Sequence, residues 1–142
     1  MTTGSQNTAM DTWAGRRITS GIENTTVGTF ALLNDSPGSQ NTAIGKNTLA
    51  GLLSGNPNVA MGYYAGRWIS GGSTPNTISN SSIFIGDNTR PLGNNQTNQM
   101  VVGAALTGLG SNTAIYGNSS ITYSHIAGNL LTGPPPTWPM RS

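Results

Sequence analysis

The sequence predicts an all-β chain wound as a parallel β-solenoid (β-roll) of 17-residue coils, and three observations carry that expectation. A motif recurs at a fixed interval: Asn7-Thr8-Ala9-Met10, Asn24-Thr25-Thr26-Val27-Gly28, Asn41-Thr42-Ala43-Ile44-Gly45 and Asn58-Val59-Ala60-Met61-Gly62 are spaced by 17. Twenty of the 142 residues are glycine, and glycine costs a helix about 1 kcal/mol at each interior position. Charged residues make up only 7% of the chain, while Asn, Thr and Ser fill more than a third of it, which suits turns and exposed β-surface. A helical repeat needs about 30 residues or more for a helix pair. The short period fits one coil of a solenoid.

Taken in order, the array runs through seven units. After Tyr64 the interval slips: Ile83-Phe84-Ile85-Gly86 follows a seven-residue insertion near residues 70–77, rich in the turn formers Gly71, Gly72, Pro75 and Asn76. Met100-Val101-Val102-Gly103 restores the interval, and Asn112-Thr113-Ala114-Ile115 is a last short unit. Stacked, the units form columns. The fourth position (Met10, Val27, Ile44, Met61, Ile85, Val102, Ile115) is apolar throughout. The fifth (Asp11, Gly28, Gly45, Gly62, Gly86, Gly103, Tyr116) is mostly glycine. The third (Ala9, Thr26, Ala43, Ala60, Phe84, Val101, Ala114) and the eighth (Ala14, Ala31, Thr48, Ala65, Thr89, Leu106, Ser119) are mostly small.

Each column carries a structural expectation. Alternation along a strand puts the second and fourth positions on one face and the third on the other, one face being core. A glycine after the apolar residue supplies positive φ at a corner. Asn7, Asn24, Asn41 and Asn58 open successive units, where amides satisfy turn backbone or stack as a ladder. Six or seven coils at about 4.8 Å each make a rod roughly 30 Å long. Such a thin core leaves a lone chain marginal, so assembly is expected, with the small third and eighth positions as flat faces for close approach in a parallel homotrimer.

Composition also excludes functions. Net charge is +2, and Lys46, Arg16, Arg17, Arg67, Arg90 and Arg141 are spread along the chain, so no clustered phosphate-binding footprint exists and no nucleic-acid partner is expected. The absence of cysteine removes disulfides, thiolate metal sites and cysteine nucleophiles. The start lacks a basic and then apolar leader, and no apolar run approaches the ~20 residues of a membrane helix; synthesis in the cytoplasm without membrane insertion is expected.

The units Gly38-Ser39-Gln40-Asn41-Thr42-Ala43-Ile44-Gly45-Lys46-Asn47-Thr48-Leu49 and Asn58-Val59-Ala60-Met61-Gly62-Tyr63-Tyr64-Ala65 resemble the Asn-Thr-Ala-Ile-Gly repeats of phage tail-fibre proteins and trimeric autotransporter adhesin heads. That resemblance, over about residues 5–133, implies a trimeric parallel β-roll. The stretch Ser111 to Ser120, continuing to Gly128-Asn129-Leu130-Leu131-Thr132-Gly133, is similar to the segment preceding the self-cleaving chaperone of endosialidase-type tail fibres. The chain stops ten residues after Thr132, so no autocleavage is expected. Between the families, the missing leader and membrane anchor favour a virion protein. The expected reading is a non-enzymatic phage structural protein of tail-fibre type on the outer surface of the virion, touching other virion proteins of the tail, baseplate or capsid. Its alternatives are a capsid decoration or cement protein and a bacterial adhesin head fragment.

Candidate sites are few. The carboxylates Asp11, Glu23, Asp35 and Asp87 occupy turn-like surroundings, and His125 is the only histidine, so no catalytic, cofactor or metal site is expected. The seventh column holds Trp13, Phe30, Asn47 and Tyr64, with Arg16, Arg17, Arg67 and Trp68 nearby on one edge. Trp13, Arg16, Tyr64, Arg67 and Trp68 are the candidate contacts to a host-surface polysaccharide, since aromatic faces stack on sugar rings and arginines hold anionic groups; packing between chains is the competing role. The domain plan is β-roll repeats over 1–118, a closing segment over 119–133 and a Pro-rich arm over 134–142. Proline lacks the N–H a sheet needs, so Pro134, Pro135 and Pro136 predict an extended arm, with Trp138 and Met140 as docking anchors. A Thr-X-Thr ice-binding array, a calcium-binding roll and a functional amyloid fit less well: the threonine column breaks at Val59, aspartates are too few, and spacing after Tyr64 is irregular.

Overall fold

The computed structural model describes residues 4–34 and 37–122. Nine short strands carry them: β1 (Thr8–Met10), β2 (Thr25–Val27), β3 (Thr42–Ile44), β4 (Asn58–Met61), β5 (Ser79–Asn80), β6 (Ser82–Ile85), β7 (Gln96–Thr97), β8 (Gln99–Val102) and β9 (Thr113–Tyr116). Strands β1, β2, β3, β4, β6, β8 and β9 form one parallel sheet in that order, and β5 pairs with β7 in a second. The described residues contain no helix and wind into a β-solenoid of about six turns with the expected repeat of about 17 residues.

The sheet's two faces are not used as the small columns led us to expect. Third-position residues Thr26, Ala43, Ala60, Phe84 and Val101 are fully buried, and the eighth-position Ala14, Ala31, Thr48, Ala65, Thr89 and Leu106 are buried with them. The small columns are therefore the interior, and they do not supply flat outer faces. Physically, the coil is narrow: opposite walls approach so closely that only small side chains fit on one wall where large ones project from the other. Ile18, Leu32, Leu49 and Leu52 fill that space in the early coils. At Phe84 the relation inverts, because Gly66 lies against it; a Cβ on Gly66 would sit 3.0 Å from the Phe84 ring and 2.6 Å from Leu49 Cδ2. The fourth column faces outward instead, with Met10 59%, Met61 42% and Ile85 38% exposed.

The last unit also pairs differently from the expected alignment. Val101 lies opposite Ile115 and Val102 opposite Tyr116, so Ile115 belongs to the inward third column and Tyr116 to the outward fourth. Gly117, whose N–H donates to the Val102 carbonyl at 2.7 Å, takes the glycine corner. Ile115 packs on the core, and a slip of one residue would have turned Tyr116 inward in its place.

The corner glycines do as expected: Gly28, Gly45, Gly62, Gly86 and Gly103 have φ between 119° and 156°. Each also stacks on the next, and a Cβ on Gly86 would lie 1.8 Å from the Gly103 carbonyl oxygen. A second glycine column, Gly4, Gly21, Gly38 and Gly55, escaped the sequence reading although it shares the same interval. Its cause is close approach: a Cβ on Gly21 would meet the Gly38 carbonyl oxygen at 2.0 Å.

The asparagines both satisfy turn backbone and form a ladder. The Asn24, Asn41 and Asn58 backbone N–H groups each donate, at 2.9 Å, to the side-chain Oδ1 of the asparagine one coil earlier. Their amide groups donate to the carbonyls of Gly38, Gly55 and Ser79 at 2.8–2.9 Å. These side chains are buried, so every such bond spares an orphaned polar group of about 1–3 kcal/mol. After the insertion the ladder continues through Ser82 and Gln99, with longer contacts of 3.2 Å.

The insertion itself is displaced from its expected bounds. Leu53 and Ser54 pair with Thr77 and Ile78, and a Cβ on Gly51 would meet Pro75, so the coil resumes its usual path at Pro75. The additional residues are thus 68–74. They form a tight excursion closed by the Trp68–Pro75 bridge, with the Ile69 N–H donating to the Thr74 carbonyl at 2.9 Å.

Candidate functional site

The seventh column follows the corner and is left-handed in the first six units: Trp13, Phe30, Asn47, Tyr64, Asn88 and Ala105 have φ between 51° and 62°. The reason is hydrogen bonding. In that conformation the Phe30, Asn47 and Tyr64 N–H groups reach back to the carbonyls of Thr12, Thr29 and Lys46 at 2.9–3.1 Å. Asparagine tolerates this conformation, whereas large side chains pay about 1–2 kcal/mol for it. Trp13, Phe30 and Tyr64 are held there by the ladder and present their rings at the corner.

The predicted single edge resolves into two patches, because Asn47 is buried between them. In the first, the Trp13 and Phe30 rings meet edge to face with centroids 5.3 Å apart, and the Arg16 guanidinium lies 4.1 Å over Trp13. Arg17 turns away from these rings and donates to Asn34 Oδ1 at 3.3 Å. In the second, Arg67 lies 4.8 Å from the Tyr64 ring centroid and 4.4 Å from that of Trp68, while Tyr63 and Tyr64 are 4.0 Å apart. Tyr63 was missed from sequence; the Tyr63-Tyr64 pair after a corner glycine was the available signal. Its hydroxyl pKa is raised, chiefly by a hydrogen bond with Tyr64, then by partial desolvation, with the Tyr64 and Asp87 charges adding to it.

The insertion builds this second patch. Trp68 is its first residue, and its tip at Gly72 lies against Arg90, whose guanidinium would meet a Cβ there at 2.6 Å. No carboxylate pairs with Arg67 among the described residues, and Asp87 is the acidic group near the tyrosines. Elsewhere among the described residues, Asp11 and Glu23 make side-chain hydrogen bonds to the next coil. Asp11 is held below the ordinary carboxyl value of 3.8 by the Thr12 backbone N–H and then the Thr29 hydroxyl, and Glu23 accepts from Gln40 at 3.0 Å. The described residues hold no group of three or more potential metal ligands and no helix able to cross a membrane. Asp35, His125 and the predicted docking arm (Pro134, Pro135, Pro136, Trp138 and Met140) lie outside the described residues.

The other surface feature is the outer face of the large sheet. Val59, Met61, Ile83, Ile85, Met100 and Val102 form two adjacent outward columns across β4, β6 and β8. Beside them a groove of about 230 Å³, lined in part by Ile83, Met100, Ala114, Asn98 and Asn112, opens on the same face. No protein-family profile, curated protein or solved structure matches this chain.

Proposed function

We propose that the chain is a non-enzymatic structural protein of a phage particle, of tail-fibre type, assembled as a parallel homotrimer and displayed outward where it meets host-surface glycans. The observation that carries the reading is the outward apolar face of the large sheet. Monomeric surfaces seldom gather aliphatic side chains into two adjacent columns, and such a face calls for a partner. A copy of the same chain offers the same columns at the same coil-to-coil rise, so copies aligned in parallel match along their whole length. The solenoid, the repeat and the resemblance of the Asn-Thr-Ala-Ile-Gly units to tail-fibre proteins support the same reading.

Sedimentation of the purified chain tests it, a mass of three copies being expected. The double substitution Met61→Glu and Ile85→Glu, on exposed positions, should release single chains that keep their β spectrum. A wild-type chain that sediments as a single copy would overturn the trimer. Electron microscopy with an antibody against the chain then places it: label on the tail supports the fibre role, and label at capsid three-fold positions would replace it with a capsid role.

A further inference from the structure

We propose that the patch formed by Tyr63, Tyr64, Arg67 and Trp68 binds an acidic saccharide, a pyranose ring stacking on an aromatic face while its carboxylate bonds the Arg67 guanidinium. The proposal deepens the glycan contact in the reading above, naming its site and ligand class. Four observations carry it. Residues 68–74 are added to the 17-residue coil, and the first of them, Trp68, completes the patch. Tyr64 places a large ring at a column position where Asn47, Asn88 and Ala105 show that a small side chain serves the ladder as well, so the fold does not require the ring.

The third observation is the arginine. Arg67 is fixed between two rings, and no hydrogen bond or ion pair engages its N–H fork among the described residues. A guanidinium so placed is preorganised for a planar carboxylate, which it holds through two parallel bonds. The fourth is exposure: Tyr63 keeps 45% of its surface in solvent, open to a ligand rich in hydroxyl groups. The patch follows the Gly62 corner, which separates it along the chain from the outward apolar column at Met61.

The charge pattern selects among anionic ligands. Single-stranded nucleic acid also stacks on aromatics, but it requires a basic groove along its backbone, and here the net charge is only +2 with Asp87 close to Tyr63. One fixed guanidinium suits a ligand with one carboxylate per ring or per few rings.

The test uses the full chain on an array of acidic and neutral saccharides, followed by calorimetry with oligogalacturonate and its methyl ester. Binding confined to carboxylated saccharides is expected. Arg67→Gln should weaken it at least about tenfold, the loss of a charge-assisted bidentate contact, and Trp68→Ala similarly. Arg17→Gln, which removes a cation bonded to Asn34 in the early coils, should leave it unchanged. Equal affinity for acid and methyl ester, no acidic saccharide bound, or an equal loss in Arg17→Gln would overturn the proposal. So would Trp68→Ala or deletion of residues 68–74 dissociating the assembly, since the patch would then be packing. Sedimentation of the wild type separates the two readings: single chains that still bind saccharide would sink the trimer alone, and trimers that bind none would sink this site alone.

Discussion

The coils before and after the insertion solve the same stacking problem with different side chains. Before it, Asn7, Asn24, Asn41 and Asn58 repeat one hydrogen-bond unit, and the interior takes Ala43 or Ala60 on one wall against Leu32 or Leu49 on the other. After it, Ser82 and Gln99 carry a looser ladder, and Phe84 and Val101 supply the bulk that the opposite wall gave up at Gly66. Buried polar atoms without partners also gather in the later part: Asn76 Oδ1, Ser79 Oγ and Gln99 Oε1. The regular coils are specified by a polar ladder, whereas the later coils are specified by the shape of a few large residues. The insertion sits where one scheme gives way to the other, and it is there that the chain elaborates a surface patch.

Substitutions can break or sharpen that contrast. The largest effect is expected where both regions share a device, the glycine corner: Gly86→Val would force a side chain into the Gly103 carbonyl at a φ of 119°, and no cooperative unfolding transition should remain in a thermal melt followed by circular dichroism. Next comes the bulk of the later coils. Phe84→Ala should cost about 3–5 kcal/mol in denaturant unfolding, with little room for collapse because the opposite wall is already bare at Gly66. Third is the ladder. Asn41→Ala removes an acceptor for Asn58 and a donor to Gly55, all buried, and should cost about 2–4 kcal/mol. Ser82→Ala, at the same column after the insertion, should cost only about 1 kcal/mol, and equal costs would erase the contrast.

The smallest effect concerns acid. The Asp11 pKa is lowered in the folded chain, so its stabilisation is present above the ordinary value of 3.8 and is lost as pH falls through the lowered value. Asp11→Asn should therefore slightly lower the melting temperature at neutral pH and slightly flatten its decline below pH 4, where variant and wild type converge. A steeper acid decline in the variant would assign Asp11 another role.

Much of the fold was legible because the same contacts recur at one interval. The corner glycines, the asparagine ladder and the alternation of β3 all follow from residues repeated in register, and repetition separates signal from chance. The assignment of inside and outside was not legible. An apolar fourth column beside a small third column reads equally as core beside surface; only the closeness of the two walls, set by Leu32 and Leu49 from the far side, decides that Ala43 is within. The closing register was misread because Asn112-Thr113-Ala114-Ile115 imitates the motif while the coil has lost three residues. The candidate site was half legible: the aromatic column was visible, but its division at Asn47 and the part played by residues 68–74 depend on where the coil resumes.

The asparagine ladder gives the molecule a direction in time as well as in space. Each Oδ1 accepts from the backbone of the coil that follows, so a coil that has closed presents a ready acceptor to its successor. Chains are made from the N-terminus at a few residues per second, and domains fold as they emerge. Here the order of synthesis is the order of templating. A nascent chain can wind itself one turn at a time, and only the most recent turn is ever without a finished seat.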